Sequence, residues 1–304
     1  MRIIGKIHNV DLSKKLIGIS TYKRIIYFYF QGSLLNTFRR YLYPNNYIDL
    51  DYDESKIYKK SGINSYLVNF VSKIFSSINN HKVSYFDKTF LNNSMSSFLS
   101  GLGNMMFLDL EMTMPAYGFH GQEYKTEIIQ VGYLLVDNNG EEITRYSNYL
   151  KPRYSSTLSR RTLEFLSIEQ DKFDSLAIDY HDFYEEFKEI IEIYHPSIII
   201  YGKNDSIILN NSFMLNEVPT IENIRYVNIC RLIKNFYNLK NEPGLFKLYQ
   251  IYYHNEDLQI HDAFNDCFVT KEVFKAFKDD VNHETYFYDI IRDTLEPKKE
   301  KPSD

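Results

Sequence analysis

Short apolar runs separated by polar and turn-forming residues dominate the first 75 residues of the chain. Most runs have the length and the β-branched and aromatic content of strands, whereas residues 34–42 carry apolar side chains at helical spacing. The pattern predicts three strands, one helix and two more strands, at residues 2–8, 16–21, 24–31, 34–42, 46–52 and 65–74. This is the element order of an OB-fold, a five-stranded barrel that often binds nucleic acid, so we expect a small β-rich, OB-fold-like domain over residues 1–75.

The pattern changes at residue 105, where strands begin to alternate with helices. Strands are predicted at residues 105–111, 126–136, 142–150, 198–202 and 226–229, and helices at 180–194, 205–215, 230–238, 244–253 and 263–279. This mixture predicts an α/β domain over residues 105–280, in which helices cover a central sheet. The polar residues 76–104 are expected to connect the two domains, and residues 281–304 to form an extension that ends in a charged, disordered tail.

Charge is distributed unevenly between the two predicted domains. Residues 1–100 contain 14 Lys+Arg and 6 Asp+Glu, a balance of +8, which leaves 21 and 34, a balance of −13, for residues 101–304. A basic half beside an acidic half favours a polyanionic partner. Cys230 and Cys267 are not in a CxxC pair, so we predict buried thiols rather than a zinc site or a disulfide. We expect a cytoplasmic protein without a membrane span, because the sequence has neither a signal peptide nor an apolar run of about 18–20 residues.

Two acidic side chains interrupt the apolar strand at residues 105–111. Asp109 and Glu111 are two residues apart, so they point to the same side of the sheet. Two like charges on a buried face are costly without a compensating cation, and carboxylate oxygens are the ligands that Mg²⁺ prefers. The pair therefore indicates a metal site, although an edge strand with one solvated face would give the same pattern.

Three further polar residues occur where a strand or a loop leads into a helix. Asp205 follows the predicted strand 198–202, where it either belongs to a site or caps the next helix. His261 and Asp266 are five residues apart at the start of the last long helix. Five residues turn a helix by roughly 500°, so the two side chains converge only if His261 lies on the preceding loop. Each residue taken alone is also compatible with a structural role.

Taken together, these motifs resemble the DEDDh exonuclease family, which includes RNase T and the proofreading exonucleases. The matching features are D-x-E-x-T at 109–113, an aspartate after a later strand, and H-x-A-x-x-D at 261–266. Residues 127–132, EIIQVG, resemble the second strand of the family, and residues 163–170 resemble its Thr-Gly-Ile segment, although Leu166 and Ser167 replace Thr and Gly. The resemblance covers residues 105–280 and implies an RNase H-like exonuclease domain with a central mixed sheet flanked by helices.

Within this family, the chain is most similar to one branch. That branch contains the histone-mRNA and small-RNA exonucleases and relatives of the sporulation inhibitor exonuclease. The similarity rests on residues 127–130 and on the aromatic-Gly-x-x-Asp motif that runs from Tyr201 to Asp205. Members usually carry Trp where this chain has Tyr201.

The resemblance implies a 3′→5′ exonuclease in which two Mg²⁺ or Mn²⁺ ions are held by four carboxylates, those of Asp109, Glu111, Asp205 and Asp266. His261 would be the general base for the attacking water, because an imidazole titrates near neutral pH. Met112 and Thr113 would contact the 3′-terminal nucleotide. The products would be nucleoside 5′-monophosphates.

The basic N-terminal domain lies outside the resemblance and is expected to bind single-stranded RNA or DNA with a free 3′ end. Basic side chains would grip phosphates next to stacking tyrosines, and the candidates are Lys23, Arg24, Arg39 and Arg40. The same aromatic residues are also compatible with a barrel core, and the cations with a solvated face. A DNA proofreading exonuclease and an inactive RNA-binding protein are the alternative functions. The presence of all five active-site residues disfavours the inactive protein.

Overall fold

The computed structural model describes residues 1–60, 62–78, 81–121, 123–254, 261–283 and 287–295. The chain divides into two compact units, Met1–Met95 and Ser96–Asp304, and each unit has its own sheet. Among the residues described, no helix is both long and apolar enough to cross a membrane. The predicted tail at 296–304 lies outside the described residues.

Six strands and two helices begin in the first unit. Their bounds are β1 (Arg2–Asp11), β2 (Leu16–Ser20), β3 (Ile25–Tyr29), α1 (Gly32–Phe38), β4 (Tyr47–Lys60), β5 (Ile63–Ile78), β6 (His81–Asp87) and α2 (Lys88–Ser100). Neighbouring strands pair antiparallel from β3 through β2, β1 and β4 to β5, and β3 also pairs in parallel with β5. Five strands therefore close into a barrel-like ring, and β6 extends the sheet from β5.

Apolar side chains from the ring and from α1 form the core of this unit. Ile19, Ile48 and Ile74 are buried on three different strands, and Leu35 and Phe38 of α1 belong to the same cluster. The spacing of Leu35 and Phe38 places both on one face of the helix, which explains why α1 packs against the strands.

Residues 81–100 are more regular than the connector expected over residues 76–104. Strand β6 pairs with β5, and α2 follows it directly. Ser and Asn favour turns, which is why the sequence suggested a loop here. Two local features favour the helix instead. Asp87 caps its start by accepting a hydrogen bond from the Phe90 backbone N–H at 3.2 Å, and Leu99 near its end is buried.

A five-stranded mixed sheet forms the centre of the second unit. Its strands are β7 (Met105–Met112), β8 (Ile128–Val136), β9 (Glu142–Tyr149), β10 (Ser197–Ile200) and β11 (Arg225–Asn228), in the order β11-β10-β7-β8-β9. Strands β7, β10 and β11 are parallel, whereas β8 is antiparallel to both of its neighbours. This arrangement confirms the predicted α/β fold of RNase H type with a mixed sheet.

Helices α3 to α10 also lie in this unit: α3 (Arg160–Leu166), α4 (Gln170–Leu176), α5 (Tyr180–Tyr194), α6 (Asn204–Leu215), α7 (Ile229–Phe236), α8 (Leu245–Tyr253), α9 (Ala263–His283) and α10 (Tyr288–Leu295). The sequence did not predict α3 and α4, because seven residues offer only about two turns of apolar periodicity. Cys230 and Cys267 are buried free thiols, as predicted.

The two faces of β7 meet different helices. Met106, Leu108 and Leu110 pack into one core with residues of α5 and α6. On the opposite face, the ring of Phe107 contacts Phe274 of α9, with 5.5 Å between the ring centroids. Because strand side chains alternate, α9 covers the face of β7 that also carries the two acidic residues.

Candidate active site

Asp109 and Glu111 share one face of a central strand. Strand β7 lies between β10 and β8, and its Asp109 and Glu111 are paired with Gly132 and Gln130 of β8. Glu111 is 6% exposed and Asp109 is half-buried. The structure therefore excludes the solvated edge strand that the sequence left open, and it places two carboxyl groups side by side on a largely closed face.

Asp205 reaches the same strand from α6. A turn joins the end of β10 to α6, and Gly202 in this turn has φ +110°, a conformation that favours glycine. Asp205 lies in the first turn of α6 and is 7% exposed. The backbone of Leu110, the residue between Asp109 and Glu111, is close enough to the Asp205 carboxyl group to lower its pKa. Asp205 therefore faces the acidic pair and does more than cap its own helix.

His261 and Asp266 approach from the start of α9. The helix begins at Ala263, so His261 precedes it and Asp266 lies in its first turn. His261 therefore lies on the loop before the helix, which is the position from which its side chain can converge with that of Asp266. Gly132 permits the close approach, because a β-carbon at that position would come within 2.3 Å of the Ala263 backbone. The missing side chain of Gly132 thus lets the first turn of α9 lie directly on the sheet.

Gln130 fixes the turn that carries His261. This residue of β8 is 2% exposed. Its amide donates a hydrogen bond to the Asp262 carboxylate at 2.7 Å and accepts one from the Ala263 backbone N–H at 3.3 Å. Asp262 in turn caps α9 by accepting a hydrogen bond from the Asn265 N–H at 2.9 Å. The sequence pointed to residues 127–132 only through the family motif, and the structure shows what Gln130 contacts.

An aromatic residue that the sequence did not identify packs against the histidine. The ring of Phe165, on α3, stacks on the His261 imidazole with 3.9 Å between centroids and 28° between planes. The contact joins two segments almost a hundred residues apart, so no local pattern could reveal it. Phe165 and the Gln130–Asp262 hydrogen bond hold the histidine segment from two directions.

Three of these side chains bring possible ligand atoms close together. Glu111, His261 and Asp266 each offer one ligand atom, and the three atoms lie within 4.8 Å of one another. The carboxyl group of Asp109 feels electrostatic repulsion from Asp205, Asp266 and Glu111, so it belongs to the same cluster. The structure therefore brings together all five residues that the sequence predicted as the catalytic and metal-binding set.

Three carboxyl groups of this cluster, those of Asp109, Glu111 and Asp205, have raised pKa values. Burial, followed by repulsion from Asp205, Asp266 and Glu111, raises the pKa of Asp109 well above its usual range. Burial, with repulsion from Asp266 and Asp205, raises the pKa of Glu111 to about 8. Burial also raises the pKa of Asp205 to about 6, although hydrogen bonds from backbone N–H groups oppose this effect. Clustered acids with raised pKa values are typical of functional sites.

This donor set fits a hard divalent cation. Carboxylate oxygens suit Mg²⁺ and Mn²⁺, and imidazole is also a common metal ligand. A bound cation would replace the protons and offset the repulsion that raises the pKa values of Asp109 and Glu111. The chemistry of the donors and their spacing are therefore compatible with the divalent ions expected from the sequence.

The remaining residues that were predicted to bind substrate lie in three other places. Met112 is half-buried at the end of β7. Thr113 is 5% exposed and forms hydrogen bonds with Glu127, through its own backbone N–H and through its hydroxyl, which accepts from the Glu127 N–H. Four exposed cations lie in the first unit, on the turn before β3 and directly after α1: Lys23, Arg24, Arg39 and Arg40.

Comparison with known proteins supports the family suggested by the motifs. Residues 106–274 match the family model of exonucleases of the RNase T type. The probable 3′-5′ exonuclease KapD of Bacillus subtilis (strain 168) is 25% identical over 177 residues, which cover 58% of this chain and 85% of the relative.

Two solved structures share the fold. A full-length 3′-exonuclease is 18% identical, with a TM-score of 0.50 over 59% of this chain and 83% of that one. A 3′-exonuclease in a structure of 3′-end specific recognition of a histone mRNA stem-loop is 17% identical, with a TM-score of 0.50 over 60% of this chain and 65% of that one. The family match spans more than half of the chain and includes Asp109, Glu111, Asp205, His261 and Asp266. This chain belongs to the RNase T family of exonucleases.

Proposed function

We propose that this DEDDh exonuclease removes nucleotides from the 3′ end of single-stranded RNA in a reaction that requires two divalent cations, Mg²⁺ or Mn²⁺. The observation that carries the proposal is the convergence of four carboxyl groups and one imidazole on one covered face of β7. The choice of RNA is supported by the similarity to the 3′-exonuclease that recognises the histone mRNA stem-loop. The products are nucleoside 5′-monophosphates.

In this proposal the carboxylates of Asp109, Glu111, Asp205 and Asp266 hold the cations. When bound, the cations stabilise the charge on the attacking and leaving oxygens of the phosphodiester. Burial serves this role, because Coulomb interactions between the carboxylates and a cation are stronger in a site from which water is largely excluded. The pKa of about 8 for Glu111 implies that cation binding at neutral pH must displace a proton from this carboxyl group.

His261 is proposed as the general base. Its imidazole would accept a proton from the attacking water as the new phosphorus–oxygen bond forms and the bond from phosphorus to the 3′-oxygen of the preceding nucleotide breaks. This leaves a 3′-hydroxyl on the shortened strand once that oxygen takes up a proton. A general base must hold its ring in one orientation. The stack on Phe165 and the anchoring of the neighbouring Asp262 by Gln130 would both restrict the His261 ring.

The first unit is proposed to be an OB-type barrel that binds the substrate. Support comes from the closed ring of five strands with a helix between β3 and β4, which is the connectivity of that fold. The +8 balance over residues 1–100 provides the attraction for a polyanion. Two pairs of exposed cations would contact phosphates: Lys23 with Arg24, and Arg39 with Arg40.

The test compares RNA and DNA oligonucleotides of the same sequence, each with a free or a blocked 3′ end. We expect Mg²⁺-dependent release of nucleoside 5′-monophosphates from the free RNA, slower release from the free DNA, and none from either blocked strand. Equal rates on the RNA and the DNA strand would contradict the proposed preference for RNA. Cleavage that starts at a blocked 3′ end would contradict the exonuclease proposal itself.

A further inference from the structure

Two exposed tyrosines of the second unit each have a basic side chain over the ring. The ammonium of Lys125 lies 3.9 Å from the ring centroid of Tyr154, and the guanidinium of Arg161 lies 5.9 Å from that of Tyr117. Tyr154 is 48% exposed and Tyr117 is 66% exposed, so both present ring surface to solvent. These four residues form a surface that we call the aromatic–basic rim. None of them was identified from the sequence.

Buried Glu127 ties one half of the rim to the end of β7. Its backbone N–H and C=O both bond to Thr113, which follows Glu111 and Met112 on the chain. Its carboxylate accepts hydrogen bonds from the backbone N–H groups of Arg153, at 2.5 Å, and Tyr154, at 3.0 Å. Lys125 is two residues before Glu127. The pair Lys125–Tyr154 is therefore held next to the strand that carries Asp109 and Glu111.

Helix α3 ties the other half of the rim to the same strand end. The Thr162 hydroxyl accepts a hydrogen bond from the Met114 backbone N–H at 2.9 Å, and the Ser159 hydroxyl donates one to the Met114 carbonyl at 2.8 Å. Arg161 directly precedes Thr162. The Tyr117 hydroxyl donates a hydrogen bond to Glu164 of α3 at 3.0 Å. Tyr117 and Arg161 are thus fixed on the side of Met114 that faces α3.

Arg161 is also one helical turn away from the residue that touches the histidine. Arg161 and Phe165 are four residues apart on α3, so they lie on the same side of the helix. Phe165 stacks on His261. The residue that stacks on the proposed general base and the cation beside the exposed Tyr117 ring therefore lie on the same side of one short helix.

The charge of this region contrasts with that of the unit around it. Residues 101–304 have a balance of −13, and four carboxyl groups converge at β7, the strand to whose end Glu127 and α3 tie the rim. Glu164, an acid on the same helix as Arg161, is already ion-paired with Arg160 at 2.7 Å. A strand that must approach an acidic cluster needs local cations for its phosphates, and exposed aromatic rings offer stacking surfaces for its bases.

We propose that the aromatic–basic rim binds the single strand of nucleic acid on the 5′ side of its terminal nucleotide, with phosphates at Lys125 and Arg161 and bases on Tyr117 and Tyr154. The rim would hold the strand while its 3′ end lies at the carboxylates, and it would also prevent the acidic unit from repelling the substrate. This inference rests on the proposed exonuclease function and extends it to the positions that precede the scissile bond.

The first test replaces the two rim cations. The double variant Lys125→Gln/Arg161→Gln should raise KM on a 12-mer RNA several-fold and leave kcat unchanged. The slope of log(1/KM) against log[salt] should become shallower by about 1.4, because each phosphate contact on a single strand contributes about 0.7. On a dinucleotide, which reaches little of the rim, KM should change far less.

A matched control is Lys188→Gln. Lys188 on α5 lines a cavity of about 430 Å³ together with Pro196 and Arg225. This cavity lies at the start of β10, whereas Asp205 follows the opposite end of that strand. The control removes one positive charge from the same unit and should keep the wild-type KM and salt slope.

The second test separates ring stacking from charge. Tyr154→Ala should raise KM on the 12-mer by a factor between about 5 and 150, the range for loss of one stacked base. Tyr154→Phe keeps the ring and should restore the wild-type KM.

The outcomes distinguish this inference from the proposed function. Wild-type protein without metal-dependent cleavage would contradict the proposed function. If the wild type cleaves the strand and the double variant has an unchanged KM, the proposal that the rim binds the strand would be contradicted, but the proposed exonuclease function would not. Equal losses on the 12-mer and the dinucleotide would also contradict the proposal for the rim, because the substitutions would then act on the catalytic site and not on the strand.

Discussion

Replacing Glu111 by Gln should stabilise the metal-free protein at neutral pH, although it removes a proposed metal ligand. Glu111 is 6% exposed and is repelled by Asp266 and Asp205, and its pKa rises from 4.5 to about 8. A carboxyl group with a raised pKa binds its proton more tightly in the folded state than in the unfolded chain. It therefore stabilises the fold below pH 4.5, and this contribution is lost as the pH rises through about 8.

The size of the effect follows from the two pKa values. At pH 7 the unfolded chain has released this proton almost completely, whereas the folded chain retains most of it. With pKa values of 4.5 and about 8, the loss of stability between low pH and pH 7 is about 3 kcal/mol. Gln is neutral at every pH and avoids this loss. For a unit of about 200 residues, 3 kcal/mol corresponds to about 6–12 °C in Tm.

Calorimetry in EDTA at pH 5 and pH 7 measures this difference. We expect the Tm of the second unit to fall between these pH values in the wild type and to fall less in Glu111→Gln, in which Asp109 and Asp205 still have raised pKa values. Added Mg²⁺ should reverse the order at pH 7, since the wild type gains stability from binding and the variant lacks one ligand. Glu185→Gln, at an exposed position on α5, is the matched control and should behave like the wild type. Identical pH dependence in Glu111→Gln and the wild type would refute the electrostatic reasoning.

Three further substitutions test other parts of the account. His261→Ala should reduce kcat by about 10²–10⁴-fold with little change in KM, because it removes a proposed general base; an unchanged kcat would exclude that role. Gln130→Leu should lower kcat more than it raises KM, since the turn that holds His261 loses its hydrogen bonds; steady-state kinetics with circular dichroism as a folding control decides this. The third substitution replaces four cations of the first unit by Gln: Lys23, Arg24, Arg39 and Arg40. KM should rise on a 20-mer but not on a dinucleotide, and an equal rise on both would contradict substrate binding by these residues.

The candidate site was predictable where local geometry determines it. Asp109 and Glu111 are two apart on an apolar strand, so strand alternation alone places them together. Helix geometry requires His261 to lie before α9 if its side chain is to converge with that of Asp266, and the helix does begin after His261, at Ala263. The family motifs then connected segments that local patterns treat separately.

Other features depend on contacts between distant segments and could not be predicted in this way. The stack of Phe165 on His261 joins α3 to the start of α9. The parallel pairing of β3 with β5 closes the first unit into a ring, and no periodicity within either strand encodes it. Helix α2 was missed because its Ser and Asn residues favour turns, whereas the cap by Asp87 and the burial of Leu99 favour the helix.

The most direct test of the central claim follows a 5′-labelled single-stranded RNA during digestion in EDTA and after addition of excess Mg²⁺. We predict an intact strand in EDTA and, with Mg²⁺, a ladder that shortens by one nucleotide at a time from the 3′ end. Asp109→Ala, which removes one proposed ligand, should leave the strand intact under both conditions. Cleavage that persists in EDTA, or a normal ladder from Asp109→Ala, would contradict the assignment of this carboxylate cluster as a metal-dependent catalytic centre.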